Sequence, residues 1–366
     1  MTRLNLSVTS LSLLVVASAA CDGSGPGGPS AFTTPRWTVE VGSRTLAIPV
    51  RADADRAYAS GPGGLAAFAA GTGERLWLTD GTQSLVGRDY AVASGVVAMV
   101  ELEGGELTGL DARNGATLWH RTGVPTEGLV ASGDAFFASD GETTLAAYDA
   151  ATGVDLWRAE IEAGGFVELY AADDFVCAER LQSPPSDAIV QCFDRSDGEN
   201  RWTREIAHPQ PRIAIAGDRI VVSGSELPES GEWMALDAAT GETVWRAPGI
   251  SAQGLTVSPD GTRVFGCGAG CLALRLSDGA ELWRRLEPEE TNAPVAAETV
   301  LWVTDNPGLG LWAIDAATGA VLRQGRESDD VSARGFCGQP AIGGANVYVF
   351  RCGGFLFAYE SRPGAN

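Results

Sequence analysis

Histidine is scarce in this 366-residue chain: His120 and His208 are the only two, and they stand in separate segments. Metal centres and catalytic triads built on imidazole therefore have little to draw on. Positive charge is also in short supply. Lysine and arginine together number 26 against 47 acidic residues, a formal net charge of −21. An acidic surface repels phosphate backbones and anionic headgroups, which argues against nucleic-acid binding and electrostatic docking to membranes. The apolar run Leu11–Ala17 is too short and too serine-rich for a membrane span. No two cysteines are adjacent. The acidic clusters Asp53 and Asp55, Asp173 and Asp174, Glu287–Glu290 and Glu327–Asp330 lack the alternating carboxylates around a central glycine that a calcium loop needs, and read as solvated turns. The stretch Gly23–Gly28 has no strand before it and no lysine after it, so it is not a phosphate loop. Neither a catalytic residue nor a cofactor or metal ligand is assigned.

What is present begins with a targeting segment. Arg3 is the only charge in residues 1–20, and Leu11–Ala17 leads into Ser18, Ala19, Ala20 and Cys21. A charged start, a short apolar core and a small-residue exit describe a secretory signal peptide over residues 1–20. The next stretch, residues 21–35, is rich in glycine, proline and serine and has nothing to bury, as a flexible tether would. A tether makes sense if its first residue is anchored, which points to Cys21 as a lipidated cysteine; Ser18 stands where a lipobox prefers leucine. Parity agrees. The other six cysteines fall into three local pairs, Cys177 with Cys192, Cys267 with Cys271, and Cys337 with Cys352, spaced as staples across hairpins in an oxidising compartment.

The rest of the chain repeats. Seven segments end at Trp77, Trp119, Trp157, Trp202, Trp245, Trp283 and Arg323, each with a glycine four residues earlier: Gly73, Gly115, Gly153, Gly198, Gly241, Gly279 and Gly319. An aspartate stands four residues before the glycine in five copies, at Asp111, Asp149, Asp194, Asp237 and Asp315. The aspartate can accept backbone N–H groups within a turn. The glycine supplies positive φ where a hairpin closes. The tryptophan brings apolar area to the returning strand, where neighbouring units need it. From Trp37 to Trp77 and onward to Arg323 the spacings are 40, 42, 38, 45, 43, 38 and 40 residues. Four short strands per period of about 40 residues is the period of a β-propeller.

The termini supply the count. Phe355–Glu360 matches the strand before the turn, and Gly364 follows, but the chain stops before a tryptophan strand. Arg36–Glu40, with Trp37, is such a strand with no hairpin before it. Seven copies plus one split copy predict an all-β, eight-bladed propeller of four-stranded antiparallel blades over residues 36–364, its ring closed by the N-terminal strand. Two of the loops joining second and third strands are long, Arg180–Ala188 and Ser225–Glu232. The connection Glu205–Arg212, with His208, lies between them in sequence. Loops of this kind carry function or are merely tolerated insertions.

The pattern best seen at Met234–Arg246 and Leu145–Arg158 resembles the repeat of the pyrroloquinoline-quinone (PQQ) propeller superfamily. That superfamily holds quinoprotein dehydrogenases and non-catalytic lipoproteins of the outer-membrane protein assembly factor type. Many of the dehydrogenases are longer and stack the quinone on a disulfide between adjacent cysteines, which this chain lacks. The resemblance therefore implies a non-enzymatic, monomeric lipoprotein scaffold. It would be exported and held in the cell envelope by its lipid. It would face envelope proteins, the β-barrel assembly machinery among them, with the outer membrane as the expected location. A surface or periplasmic binding propeller of another role is the alternative, and a PQQ-dependent dehydrogenase-like protein comes third. Fold similarity alone does not assign function.

Overall fold

The computed structural model describes residues 34–42, 50–61, 63–79, 90–101, 105–124, 128–162, 166–181, 187–207, 211–224, 231–288, 290–305, 310–326, 336, 338–351 and 354–362. The signal peptide, most of the tether with Cys21, the pair Cys337 and Cys352, His208, Gly364 and most of the two long loops lie outside the described residues.

The described strands number 32 and form eight four-stranded antiparallel sheets. Blade 1 runs Arg51–Leu78, blade 2 Tyr90–Thr122, blade 3 Gly128–Glu160, blade 4 Phe166–Ile206, blade 5 Arg212–Pro248, blade 6 Ala252–Arg285 and blade 7 Val295–Arg326. Blade 8 takes three strands from Ala341–Glu360 and its outer strand, Trp37–Glu40, from the other end of the chain. Trp37 lies opposite Ala358 and Glu40 opposite Phe355, so the split blade closes as its phase requires. First strands of consecutive blades touch all the way round, blade 8 meeting blade 1. The ring thus has no first or last blade, although each blade keeps an outer edge.

Each blade repeats one cross-strand row. In blade 3 it is Phe137, Ala147 and Trp157; in blade 1, Tyr58, Ala67 and Trp77; in blade 6, Phe265, Ala273 and Trp283. The small middle residue leaves room for the indole to reach the aromatic ring beyond it, with centroids 5.8–6.0 Å apart. In blades 1 to 7 the pairing to the outer strand slips by one residue beside this row. The slip is a bulge, and the extra residue turns outward. Leu76, Leu118, Leu156, Val244 and Leu322 are the bulge residues of five of these blades and are exposed, while their tryptophan or arginine neighbours face inward; Arg201 and Leu282, at the same place in blades 4 and 6, are half-buried.

The indoles join the blades. The Nε1–H groups of Trp37, Trp77, Trp119, Trp157, Trp202, Trp245 and Trp283 donate to the carbonyls of Ala70, Ala112, Ala150, Arg195, Ala238, Leu276 and Ala316 at 2.7–3.1 Å. Each acceptor lies in the next blade, one residue past the aspartate position. The turn aspartates do accept backbone N–H groups: Asp149 from Thr152 at 2.8 Å, and Asp237 from Ala239 and Thr240 at 3.0 Å. The turn glycines have φ of 67–77°. They carry a second constraint, since a Cβ at any of the seven would lie 2.5–2.8 Å from the indole of the preceding blade. All ten tryptophans of the chain are buried.

Candidate functional site

The between-blade connections and the turns joining second to third strands share one face of the ring. On this face of blade 4, two carboxyl groups are brought together. Glu168, on the innermost strand, pairs in register with Glu179 on the second strand. Glu179 stands two residues beyond Cys177, on the same side of its strand. Four other blades place a small hydroxyl at that position: Ser60, Ser139, Ser223 and Thr304. Glu179 is fully buried, and neither of its oxygens meets a hydrogen-bond partner. Tyr170 donates to Glu168 Oε2 at 2.8 Å. Burial pushes the Glu179 carboxyl up to about 8; the charge of Glu168 adds to this, while Tyr170 and Arg212 oppose it. Burial, then the charges of Glu179 and Glu168, raise the Tyr170 hydroxyl well above its ordinary value.

Further round the same face, a cleft of about 590 Å³ opens between blades 5 and 6. Glu232, Arg246, Pro248, Ile250, Ala269 and Arg284 are among the residues that line it. Arg246 pairs with Glu232. Arg284 binds Glu281 Oε2 at 2.9 Å and reaches the Gly249 carbonyl at 3.2 Å.

Two of the three expected cysteine staples fall among the described residues and are disposed as their spacing predicts. Cys177 and Cys192 are cross-strand neighbours with Cα atoms 4.1 Å apart, and Cys267 and Cys271 likewise at 4.2 Å; both pairs are disulfide-bonded. In blade 4 the disulfide occupies the row beneath Trp202, where blades 1, 3, 6, 7 and 8 place an aromatic beside alanine. His120 Nδ1 lies 3.0 Å from Thr108 Oγ1, and its Nε2 is 3.8 Å from Glu106. Asp53 is engaged by Tyr58, Arg56 and backbone N–H groups, and Asp174 by Arg201. Among the described residues no three histidine, cysteine or acidic side chains gather as a metal site. The described residues do not offer the stacking site of a quinone of the dehydrogenase type. The sequence has no adjacent cysteines, both disulfides are buried within blades, and no indole presents a free ring face.

Eight four-stranded blades, joined by one indole per repeat, define a PQQ-type propeller. The chain matches, over residues 33–204, 122–248 and 229–366, the family model described as outer membrane protein assembly factor BamB, and it belongs to that family. BamB of Shewanella oneidensis is 26% identical over 322 residues, covering 77% of this chain and 76% of its own. Among solved structures, BamB of Moraxella catarrhalis superposes with a TM-score of 0.65 at 15% identity, over 89% of this chain and 99% of that one. The quinohemoprotein alcohol dehydrogenase of Comamonas testosteroni gives 0.63 at 14% identity, over 91% of this chain and 77% of its own. These structural likenesses establish the shared fold.

Proposed function

We propose that this propeller is a non-enzymatic scaffold of the cell envelope, anchored by lipid at Cys21, that binds other envelope proteins as a BamB-like component of outer-membrane protein assembly. The family match along almost the whole propeller carries the reading. Three further features support it. The N-terminal sequence has the order of a signal peptide, a cysteine and a tether. Two disulfides suit an oxidising compartment. The long loops of blades 4 and 5 are the natural place for partner contacts on a rigid disc. The dehydrogenase reading has the shared fold in its favour, but the sequence lacks the adjacent cysteines on which many of those enzymes stack the quinone.

The test is affinity purification of the full-length protein from detergent-solubilised envelopes, with mass spectrometry of its mature N-terminus. The expected result is a diacylglyceryl-modified Cys21 and co-purifying β-barrel assembly proteins. A soluble product starting elsewhere would refute the anchor. A quinone chromophore with substrate-dependent reduction would refute the non-enzymatic role.

A further inference from the structure

Glu179 is buried without anything that offsets its burial: neither oxygen of its carboxyl meets a hydrogen-bond partner. Its neighbours on the sheet are set by register. Glu168 stands opposite it on the first strand of blade 4, and the buried Val190 on the third. Tyr170 and Cys177 form the next pair on the same side, and Cys177 is tied to Cys192. Paired residues of an antiparallel ladder hold their Cβ atoms about 5 Å apart on one face, so the two carboxyl groups share one small space. The same cross-strand pair is Gly128 with Ser139 in blade 3 and Arg212 with Ser223 in blade 5. Two acids at this place are therefore not a requirement of the fold.

Neither protonation state relieves Glu179. As an anion it lacks a donor; as a neutral acid it has a hydroxyl without an acceptor and a carbonyl oxygen without a donor. Arg212, half-buried on the first strand of blade 5, acts on it through its charge but makes no hydrogen bond to it. A divalent cation between the two carboxyl groups would engage the orphaned oxygens and balance both charges. The donor atoms here are all oxygens, which selects a hard ion. Magnesium demands an octahedron and keeps several waters, for which the enclosed Glu179 oxygens leave no room; calcium accepts irregular sets of oxygens and bidentate carboxylates. Glu168 is half-buried rather than enclosed, so an ion can enter, and water complete its shell, from that side.

We propose that Glu168 and Glu179 together hold one calcium ion in blade 4, at its seam with blade 5. Tyr170, which donates to Glu168 Oε2 at 2.8 Å, is a positioning residue that orients that ligand. The ion ties the first strand of the blade to the second, and the long loop Arg180–Ala188 starts at the residue after Glu179. Calcium thereby stiffens the base of that loop. The assignment needs no partner protein and stands apart from the scaffold reading.

The test is isothermal titration calorimetry of calcium chloride into the full mature chain in detergent, stripped of metal beforehand with a chelator. One ion should bind per chain, and magnesium should bind more weakly. Glu179, raised to about 8 in the metal-free protein, carries its proton near pH 6.5, so binding there should release about one proton, read from buffers of different ionisation enthalpy. Affinity should rise as pH is raised toward 8. Glu168→Gln and Glu179→Gln should each weaken binding by at least about tenfold. Arg212→Gln should strengthen it, since a cation leaves the neighbourhood. Asp173→Asn, in the exposed turn joining the same two strands, should bind as the parent does and controls for general loss of acid. If Glu179→Gln does not fold, Glu168→Gln, at the half-buried position, decides alone. No response of the parent to millimolar calcium would overturn the proposal. So would unchanged binding in the glutamine variants, or binding that releases no proton.

Discussion

Seven seams of the ring are closed by an indole from an outer strand; the seam between blades 7 and 8 is closed differently. The outer-strand position there is Arg323. Trp302, on the second strand of the same row, takes over: its Nε1–H donates to the Ser361 carbonyl at 3.2 Å. Ser361 follows Glu360, so this is the carbonyl that other blades offer one residue past the aspartate position. The aromatic has moved two strands inward across Ala313, and the bond it makes is the same kind. The fixed requirement at a seam is therefore an indole N–H on that carbonyl, and the strand that provides it can vary. The adjoining closure seam is reinforced instead. Asn346 donates to the Ala70 carbonyl at 2.7 Å alongside Trp37, and Arg36 donates to Asn346 at 2.9 Å.

The largest expected effects come from removing either indole. Trp302→Ala and Trp37→Ala should each destabilise the protein by about 3–5 kcal/mol, read as a lower midpoint in chemical denaturation. Trp37→Ala should in addition raise aggregation, because loosening the closing strand exposes the edge at Phe355–Glu360. If Trp302→Ala costs less than about 1 kcal/mol, the seam between blades 7 and 8 does not depend on its indole and the comparison fails.

A second expected effect separates blade 4 from the blades with a hydroxyl in the same place. The Glu179 carboxyl is raised from 4.5 to about 8 in the folded protein. The folded state holds that proton more tightly, so the stabilisation is fully present below pH 4.5 and is lost as pH rises toward 8. Stability should fall through this window in the parent. Glu179→Gln should remove that part of the slope and leave the variant the more stable protein at pH 8. Parallel pH profiles for the two proteins would show that Glu179 is not the group responsible.

The sequence made the phase of the ring readable because three residue types recur for separate physical reasons. Aspartate, glycine and tryptophan at fixed offsets located seven turns, and the split copy predicted the pairing of Trp37 with the C-terminal strand. The spacing of Cys177 and Cys192 and of Cys267 and Cys271 was enough to pair them. The second constraint on the turn glycines was not readable, because the clashing indole comes from another blade. Nor was the role of Trp302 readable, since it appears only when rows are traced across strands. Glu179 did leave a signal: it shares strand parity with Cys177 and so faces the same buried layer. The cleft between blades 5 and 6 left none, because its lining comes from two blades and the connection between them.

A smaller effect tests the glycines by pairing two with similar backbone. Gly153 and Gly95 have φ of 67° and 77°. Beside Gly95 a Cβ meets nothing within 4 Å, whereas beside Gly153 it meets the ring of Trp119 at 2.6 Å. Gly95→Ala should therefore cost only the left-handed backbone strain, about 1 kcal/mol. Gly153→Ala should cost that plus the displacement of a packed ring, bringing it to about 2–4 kcal/mol in thermal or chemical denaturation. Equal costs would mean that the turn glycine serves the hairpin alone and not the seam.

The smallest effect expected is also the sharpest test of the seam comparison. The double change Trp302→Phe, Arg323→Trp rebuilds in blade 7 the phenylalanine, alanine and tryptophan row of blades 3 and 6. Trp302→Phe alone keeps most of the buried area but loses the hydrogen bond to Ser361, leaving a buried carbonyl without its partner, and should cost about 1–3 kcal/mol. Arg323→Trp alone puts two indoles against one Ala313 and should overpack the row by about 1–3 kcal/mol. Together they return a single indole to the outer strand, where Ala313 already leaves room for it. The double variant should therefore lie within about 1 kcal/mol of the parent, with a coupling energy that cancels most of the two single costs. Additive losses would show that the seam between blades 7 and 8 is a distinct packing solution tied to Trp302, and not the common seam with its indole moved.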